Sequence, residues 1–232
     1  YAPGTRRYTR PMDLIAIDLA TPWLVAAWAL TLPLLAYAAW VAPWSRLGGC
    51  SLTRVWHGGI VVVIALWSIQ ATVSGNFTFH LLGMAGLTLA LGAPLALVSA
   101  AIVVAVHCGI QGGAWANVAV VWLTLCATAI AVNALILRLT HRFLPPNIFV
   151  YLFVVAFFGA ALSLIVAGAV ALLVLAGATE LTVSRAFGQY APYLLQLGFG
   201  EAMLTGMLIT IGVVYRPQWV STFDDARYLK PR

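Results

Sequence analysis

The chain has 232 residues, 63% of them hydrophobic and only 8% charged, where a soluble domain carries about 25% charged residues. That deficit, with apolar runs long enough to cover about 30 Å of hydrocarbon, excludes a soluble globular protein and leaves one embedded in a membrane. The net charge of +6 is no nucleic-acid signature, because the basic residues lie in tails and short connections, where they orient helices and meet anionic lipid headgroups.

Seven apolar runs follow in chain order. The first, Thr21 to Val41, comes after Arg6, Arg7 and Arg10 and is closed by Pro43, Trp44 and the pair Gly48-Gly49. The second runs from Val55 to Ser74 and meets Gly75-Asn76. The third, His80 to Leu91, has only about 12 residues. That is too short for a full crossing, so it reads as a half-helix shielded from lipid by protein. Gly92-Ala93-Pro94 separates it from the fourth, Pro94 to Val106. The fifth extends from Trp115 to about Leu137 and is stopped by Arg138, His141 and Arg142. The sixth begins at Pro145-Pro146, a helix-start signal, and stays apolar to Ala178. At 1.5 Å per residue it would reach roughly 50 Å, so it must tilt, protrude or be interrupted. The seventh, Tyr190 to Tyr215, ends at Arg216-Pro217.

The pattern predicts an all-α polytopic membrane protein of about seven spans, one or two of them short or broken. A tail of residues 1–21 leads a single transmembrane domain, 22–215, which is followed by a C-terminal tail, 216–232. With seven spans, eight Lys and Arg fall on the side of the C-terminal tail and four on the other. The positive-inside rule then places the C-terminus in the cytoplasm and the N-terminus outside. Merging the third and fourth runs gives six spans with both termini inside. Cys50, Cys108 and Cys126 form no CxxC pair and read as small apolar residues.

Polar groups within apolar runs are costly and mark candidates for function. Glu201, in Gly198-Phe199-Gly200-Glu201-Ala202, is the sharpest. It reads either as interhelical hydrogen-bonding glue or as a cavity or coupling residue, and Lys230 in the tail is the only lysine in the chain. His80 follows Asn76-Phe77-Thr78-Phe79; His57 and His107 lie near the ends of other runs. Imidazole suits several transition metals, but no HxxxH, HExxH or CxxC spacing occurs, and a lone histidine at the interface has an ordinary structural explanation. His141, between Arg138 and Arg142, is a poor ligand because both would repel a cation. The glycine-rich turn Gly109 to Asn117 either lines a polar cavity with Gln111 and Asn117 or simply joins two spans. The phosphate-loop pattern is absent, so any ATP-driven role requires partner ATPases. No nucleophile elbow is present, and the chain does not read as an enzyme.

Four segments in order, Pro22-Trp23, Gln70 through His80-Leu81-Leu82-Gly83, Gly109 to Asn117, and Gly200-Glu201-Ala202-Met203-Leu204-Thr205-Gly206 before Tyr215-Arg216-Pro217, carry a likeness. The chain resembles the CbiM/NikM-like permease family, the M-type membrane subunits of energy-coupling-factor cobalt and nickel transporters. The resemblance implies seven helices, an outward N-terminus, a bacterial inner-membrane location and a divalent metal, Ni or Co, bound as substrate with no intrinsic cofactor. It implies partners: a transmembrane coupling subunit and two ATPases, besides lipid. In that family the metal is held by an N-terminal Met-His and by the histidine matched here by His80. This sequence has Met12-Asp13 where Met-His is expected, with Asp13 offering at most one oxygen. The expected metal residues are therefore His80 and Asp13, with Asn76, Gln111, Asn117 and Glu201 as cavity or coupling residues. The departure at Met12-Asp13, and a tail from Trp219 to Arg232 suited to docking, leave a second reading: an accessory or structural subunit of a larger membrane complex on the same scaffold.

Overall fold

A computed structural model describes residues 14, 19–73, 77–178, 182–224 and 228. The first helix, α1 (Thr21–Val41), carries Pro22 in its opening turn, where no backbone N–H is needed, and Pro33 in its interior. It packs against the fourth helix and the start of the fifth. Next comes α2 (Cys50–Ser68). It stops six residues before the end of the predicted second run, because Ala71–Val73 and Phe77–Phe79 form strands β1 and β2 of a small antiparallel hairpin, with Ala71 opposite Phe79. Thr72, Val73, Phe77, Thr78 and Phe79 are β-branched or aromatic types that suit a pleated ribbon.

The short helix α3 (Met84–Leu91) covers only eight residues, so the third run is a half-helix, begun by the extended stretch His80 to Leu82. A turn at Gly92 leads into α4 (Ala93–Gln111). The fifth helix, α5 (Trp115–Phe143), begins with a 3₁₀ turn at Trp115–Asn117 and widens to π geometry over Trp122–Ala127. The sixth, α6 (Ile148–Ala178), is interrupted in the same way at Tyr151–Phe158, which accounts for part of its surplus length. The last, α7 (Val183–Tyr215), has 33 residues and starts seven positions before the predicted boundary. Six helices among the described residues are long and apolar enough to cross a membrane, and the eight-residue α3 is not one of them.

Side chains sort as a bilayer demands. Val25, Leu30, Phe149, Phe153, Phe158, Phe199 and Met203 are exposed on the outside, while Thr88, Ser99, His107, Asn117, Asn133, Ser163, Glu201 and Thr205 are buried within. Buried hydroxyls bond within their own helices, as Thr88 to Met84 O and Ser163 to Gly159 O, and Trp56 Nε1–H donates to Ser99 Oγ across α2 and α4. Helices α6 and α7 pack most extensively. At Gly198 a Cβ would stand 2.9 Å from Ile165 and 3.3 Å from Ala161 O, so only glycine permits this approach. Between α2 and α7, over α3, lies an apolar groove of about 710 Å³ lined by Gly58, Gly59, Gly86, Leu208 and Gly212.

The chain after α7 folds back onto α3. The backbone N–H groups of Ser221 and Thr222 donate to Ala90 O and Leu89 O at 3.0 and 3.3 Å, and the Thr222 hydroxyl also reaches Leu89 O at 2.7 Å. The last carbonyls of a helix have no partner within it, and inside a membrane water does not supply one; here the tail does. Phe223 stacks on Tyr228, both against Tyr151, and the Tyr228 hydroxyl lies 2.7 Å from His141 Nε2. The described part of a tail expected to dock outward thus docks on the chain's own half-helix.

Candidate functional site

The polar interior gathers around the extended stretch His80-Leu81-Leu82-Gly83. Gly83 has φ +68°, a left-handed conformation that side-chain-bearing residues rarely adopt, and a Cβ there would stand 2.9 Å from Val63 Cγ2. Its backbone N–H donates to Glu201 Oε1 at 2.8 Å, and the N–H of Leu82 donates to Glu201 Oε2 at 2.9 Å. Glu201 sits on α7 and is 1% exposed. From the other side, the indole N–H of the fully buried Trp67, near the end of α2, donates to Leu82 O at 3.0 Å. One peptide group is therefore gripped through its N–H by α7 and through its C=O by α2. Both oxygens of the carboxylate are used, and the extended backbone that could not pair with itself is satisfied.

This grip sets His80. Its ring centre lies 4.4 Å from that of Trp67, tilted by 41°, and its Nδ1 is 3.2 Å from Leu81 O. A carbonyl can only accept, so this contact has its N–H on Nδ1. His107, one turn before the end of α4 and 3% exposed, packs edge-on against Trp67 at 5.2 Å. The ring centres of His80 and His107 are 5.9 Å apart. The Gln70 amide nitrogen lies 3.4 Å from His107 Nε2. Among the described residues no group of three or more His, Cys, Asp and Glu side chains assembles.

The structure brings His80 and Glu201 to one loop, as carried residue and anchor. Asn117 is buried elsewhere: its amide donates to Leu14 O at 2.9 Å, tying the start of α5 to the chain ahead of α1. Gln111 is exposed at the last position of α4. Asp13 and Asn76 lie outside the described residues. Trp67 and His107 also pack against this stretch; their one trace in the sequence is a tryptophan and a histidine near the ends of two apolar runs.

Residues 18–219 match the family CbiM, described as the cobalt uptake substrate-specific transmembrane region. This chain belongs to that family. As a CbiM-family protein it shares its fold with two solved structures. A truncated transition metal transporter superposes with a TM-score of 0.71 at 16% identity, covering 88% of this chain and 97% of that one. A second, a transition metal transporter, gives 0.71 and 16% over 86% and 90%. Among curated protein sequences none matches the chain.

Proposed function

We propose that this CbiM-family chain captures a divalent first-row transition-metal cation, Ni2+, Co2+ or a close neighbour, and passes it across the bacterial inner membrane as the membrane subunit of an energy-coupling-factor transporter. The observation that carries the reading is His80, half-buried on an irregular backbone that Trp67 and Glu201 fix. Membrane proteins keep such backbone only where protein shields it or a pathway needs it. A hydrogen bond from one ring nitrogen to a backbone carbonyl is the usual way a protein orients a histidine toward a borderline metal.

Charge supports an inward direction of transport. His80 and His107 lie at the ends where α2 and α4 finish, whereas Arg46 and Arg54 lie at the opposite end of α2, Arg142 in the last turn of α5 and Arg216 just after α7. The basic face is the cytoplasmic one, so the histidines face the outside, the N-terminus lies there too, and the cation is taken from it. A coupling protein and two ATPases supply the energy, since the chain has no phosphate loop.

The test is metal analysis of the purified protein. About one Ni2+ or Co2+ per chain is expected, and His80→Ala should abolish it. Wild-type protein that binds neither ion would overturn the reading.

A further inference from the structure

The groove between α2 and α7 is open because glycines line it. Gly58 and Gly59 stand on α2, Gly86 on α3 and Gly212 on α7, and a Cβ added at Gly58 would meet nothing within 4 Å. In a bilayer such a groove is filled by lipid tails or by a neighbouring helix, and its apolar walls alone do not choose between them, since lipid tails are as apolar as leucine. Its length and its charged end do choose. We propose that the groove holds an acyl chain of one anionic glycerophospholipid, whose phosphate is met by Arg216. The inference rests on the chain's place in the membrane and is independent of the metal-transport reading.

The groove has the length of one leaflet. Along α2 it runs from Arg54 to Leu66, and along α7 from Leu204 to Arg216. At about 1.5 Å per residue each stretch covers about 18 Å, close to half of the ~30 Å hydrocarbon core. Leu66 and Gly83 close the deep end, where a Cβ at Gly83 would stand 3.4 Å from Leu66 Cδ1. A partner's spanning helix needs a seam through the whole core, whereas an acyl chain needs only this half.

The other end suits an anionic headgroup. Arg54 and Arg216 line it, and none of the described lining residues is acidic. The turn Pro217–Trp219 packs against α2, which brings the end of α7 beside the first turns of α2. Arg54 has other interactions as well. Arg216, exposed just beyond α7, is therefore the phosphate ligand, and Arg54 adds positive potential beside it. A guanidinium meets phosphate oxygens with two parallel N–H donors. Tyr215 and Trp219 are exposed at the same end, and such rings settle at headgroup level. Each arginine favours a net negative headgroup over a zwitterionic one by about fivefold.

The experiment incubates the purified full chain in detergent with phosphatidylglycerol or with phosphatidylcholine of the same acyl chains, and counts retained lipid by native mass spectrometry. Wild type is expected to keep one phosphatidylglycerol, about 25-fold more tightly than phosphatidylcholine. Arg216→Gln should cut that preference to about fivefold. Arg142→Gln, which removes a charge in the last turn of α5 and away from the groove, should leave it unchanged. Gly58→Phe places a ring in the open space and should displace both lipids; Gly58→Leu covers the case in which the phenylalanine variant misfolds. Equal retention of the two lipids by wild type, an Arg142→Gln effect as large as that of Arg216→Gln, or undiminished phosphatidylglycerol on a folded position-58 variant would overturn the site. So would wild-type protein that keeps no phospholipid, an outcome that gives the groove to a partner's helix.

Discussion

The carboxylate of Glu201 accepts the backbone N–H of Gly83 at 2.8 Å, across 118 positions of sequence, and its other oxygen accepts the N–H of Leu82. A helix in the last quarter of the chain thereby holds the loop that carries His80. Glu201 acts through that loop, as a positioning residue. Removing it strands two buried N–H groups, each costing about 1–3 kcal/mol. Glu201→Ala is expected to lower thermal stability in detergent steeply. Glu201→Gln, which retains one accepting oxygen but turns an NH2 toward the second N–H, should fall between the alanine variant and wild type. If the carboxylate touched the ion itself, the glutamine variant would lose metal as completely as His80→Ala; as an anchor, it should retain measurable binding with weaker affinity.

Gly83 offers a separate check on the same loop. Its φ of +68° costs an ordinary residue roughly 1–2 kcal/mol, and a new methyl would press on Val63 at 2.9 Å. Gly83→Ala is expected to destabilise the protein and shift His80 off Trp67. Reduced metal affinity with an otherwise normal helical circular-dichroism spectrum is the expected outcome. An alanine variant with unchanged melting temperature and affinity would mean the loop is not held as the structure shows.

The spans were readable in the sequence because a stretch of about 20 apolar residues has few places to go other than a bilayer; Thr21, Val41, Ala178 and Tyr215 fall on boundaries that hydropathy, proline and arginine mark. The half-helix was readable for the converse reason, as His80 to Leu91 is too short to cross. The first two turns of α7 were hidden because Arg185 and Gln189 lower the local hydropathy without breaking a helix, and the early end of α2 because β1 and β2 are as apolar as the helix they follow. The site was only half visible. His80 and Glu201 stand out as polar residues in apolar runs, but which residue meets which depends on how α2, α4 and α7 pack. The contact between Gln70 and His107 spans 37 positions and leaves no periodic trace.

The close approach of α6 and α7 gives a test of the scaffold with an internal control. Gly198→Ala would drive a Cβ to 2.9 Å from Ile165 and 3.3 Å from the Ala161 carbonyl, and overpacking of this kind costs about 1–3 kcal/mol. Gly188 lies on the same helix with nothing within 4 Å of its built Cβ, so Gly188→Ala should be neutral or stabilise by about 0.5–1 kcal/mol through helix propensity alone. Melting curves of the two variants in one detergent should therefore move in opposite directions or differ clearly. Equal shifts would deny the helix pair its tight contact.

The end of α3 makes the last prediction. Its carbonyls at Leu89 and Ala90 are satisfied by Thr222 and Ser221, and the Thr222 hydroxyl also meets the Tyr151 hydroxyl at 2.8 Å. Thr222→Val keeps the shape and the backbone N–H while deleting the hydroxyl, so it removes the side-chain bonds to Leu89 O and to Tyr151 together. The expected cost is about 1–3 kcal/mol, read as a lower melting temperature. Thr222→Ser, which keeps the hydroxyl, should stay close to wild type. Because α3 continues directly from the loop that bears His80, loosening its far end should also speed proteolysis of the segment after Arg216. Metal binding at His80 should change much less than it does in Glu201→Ala. A valine variant as stable and as protease-resistant as wild type would show that the Thr222 hydroxyl adds nothing to the backbone bonds that close the half-helix.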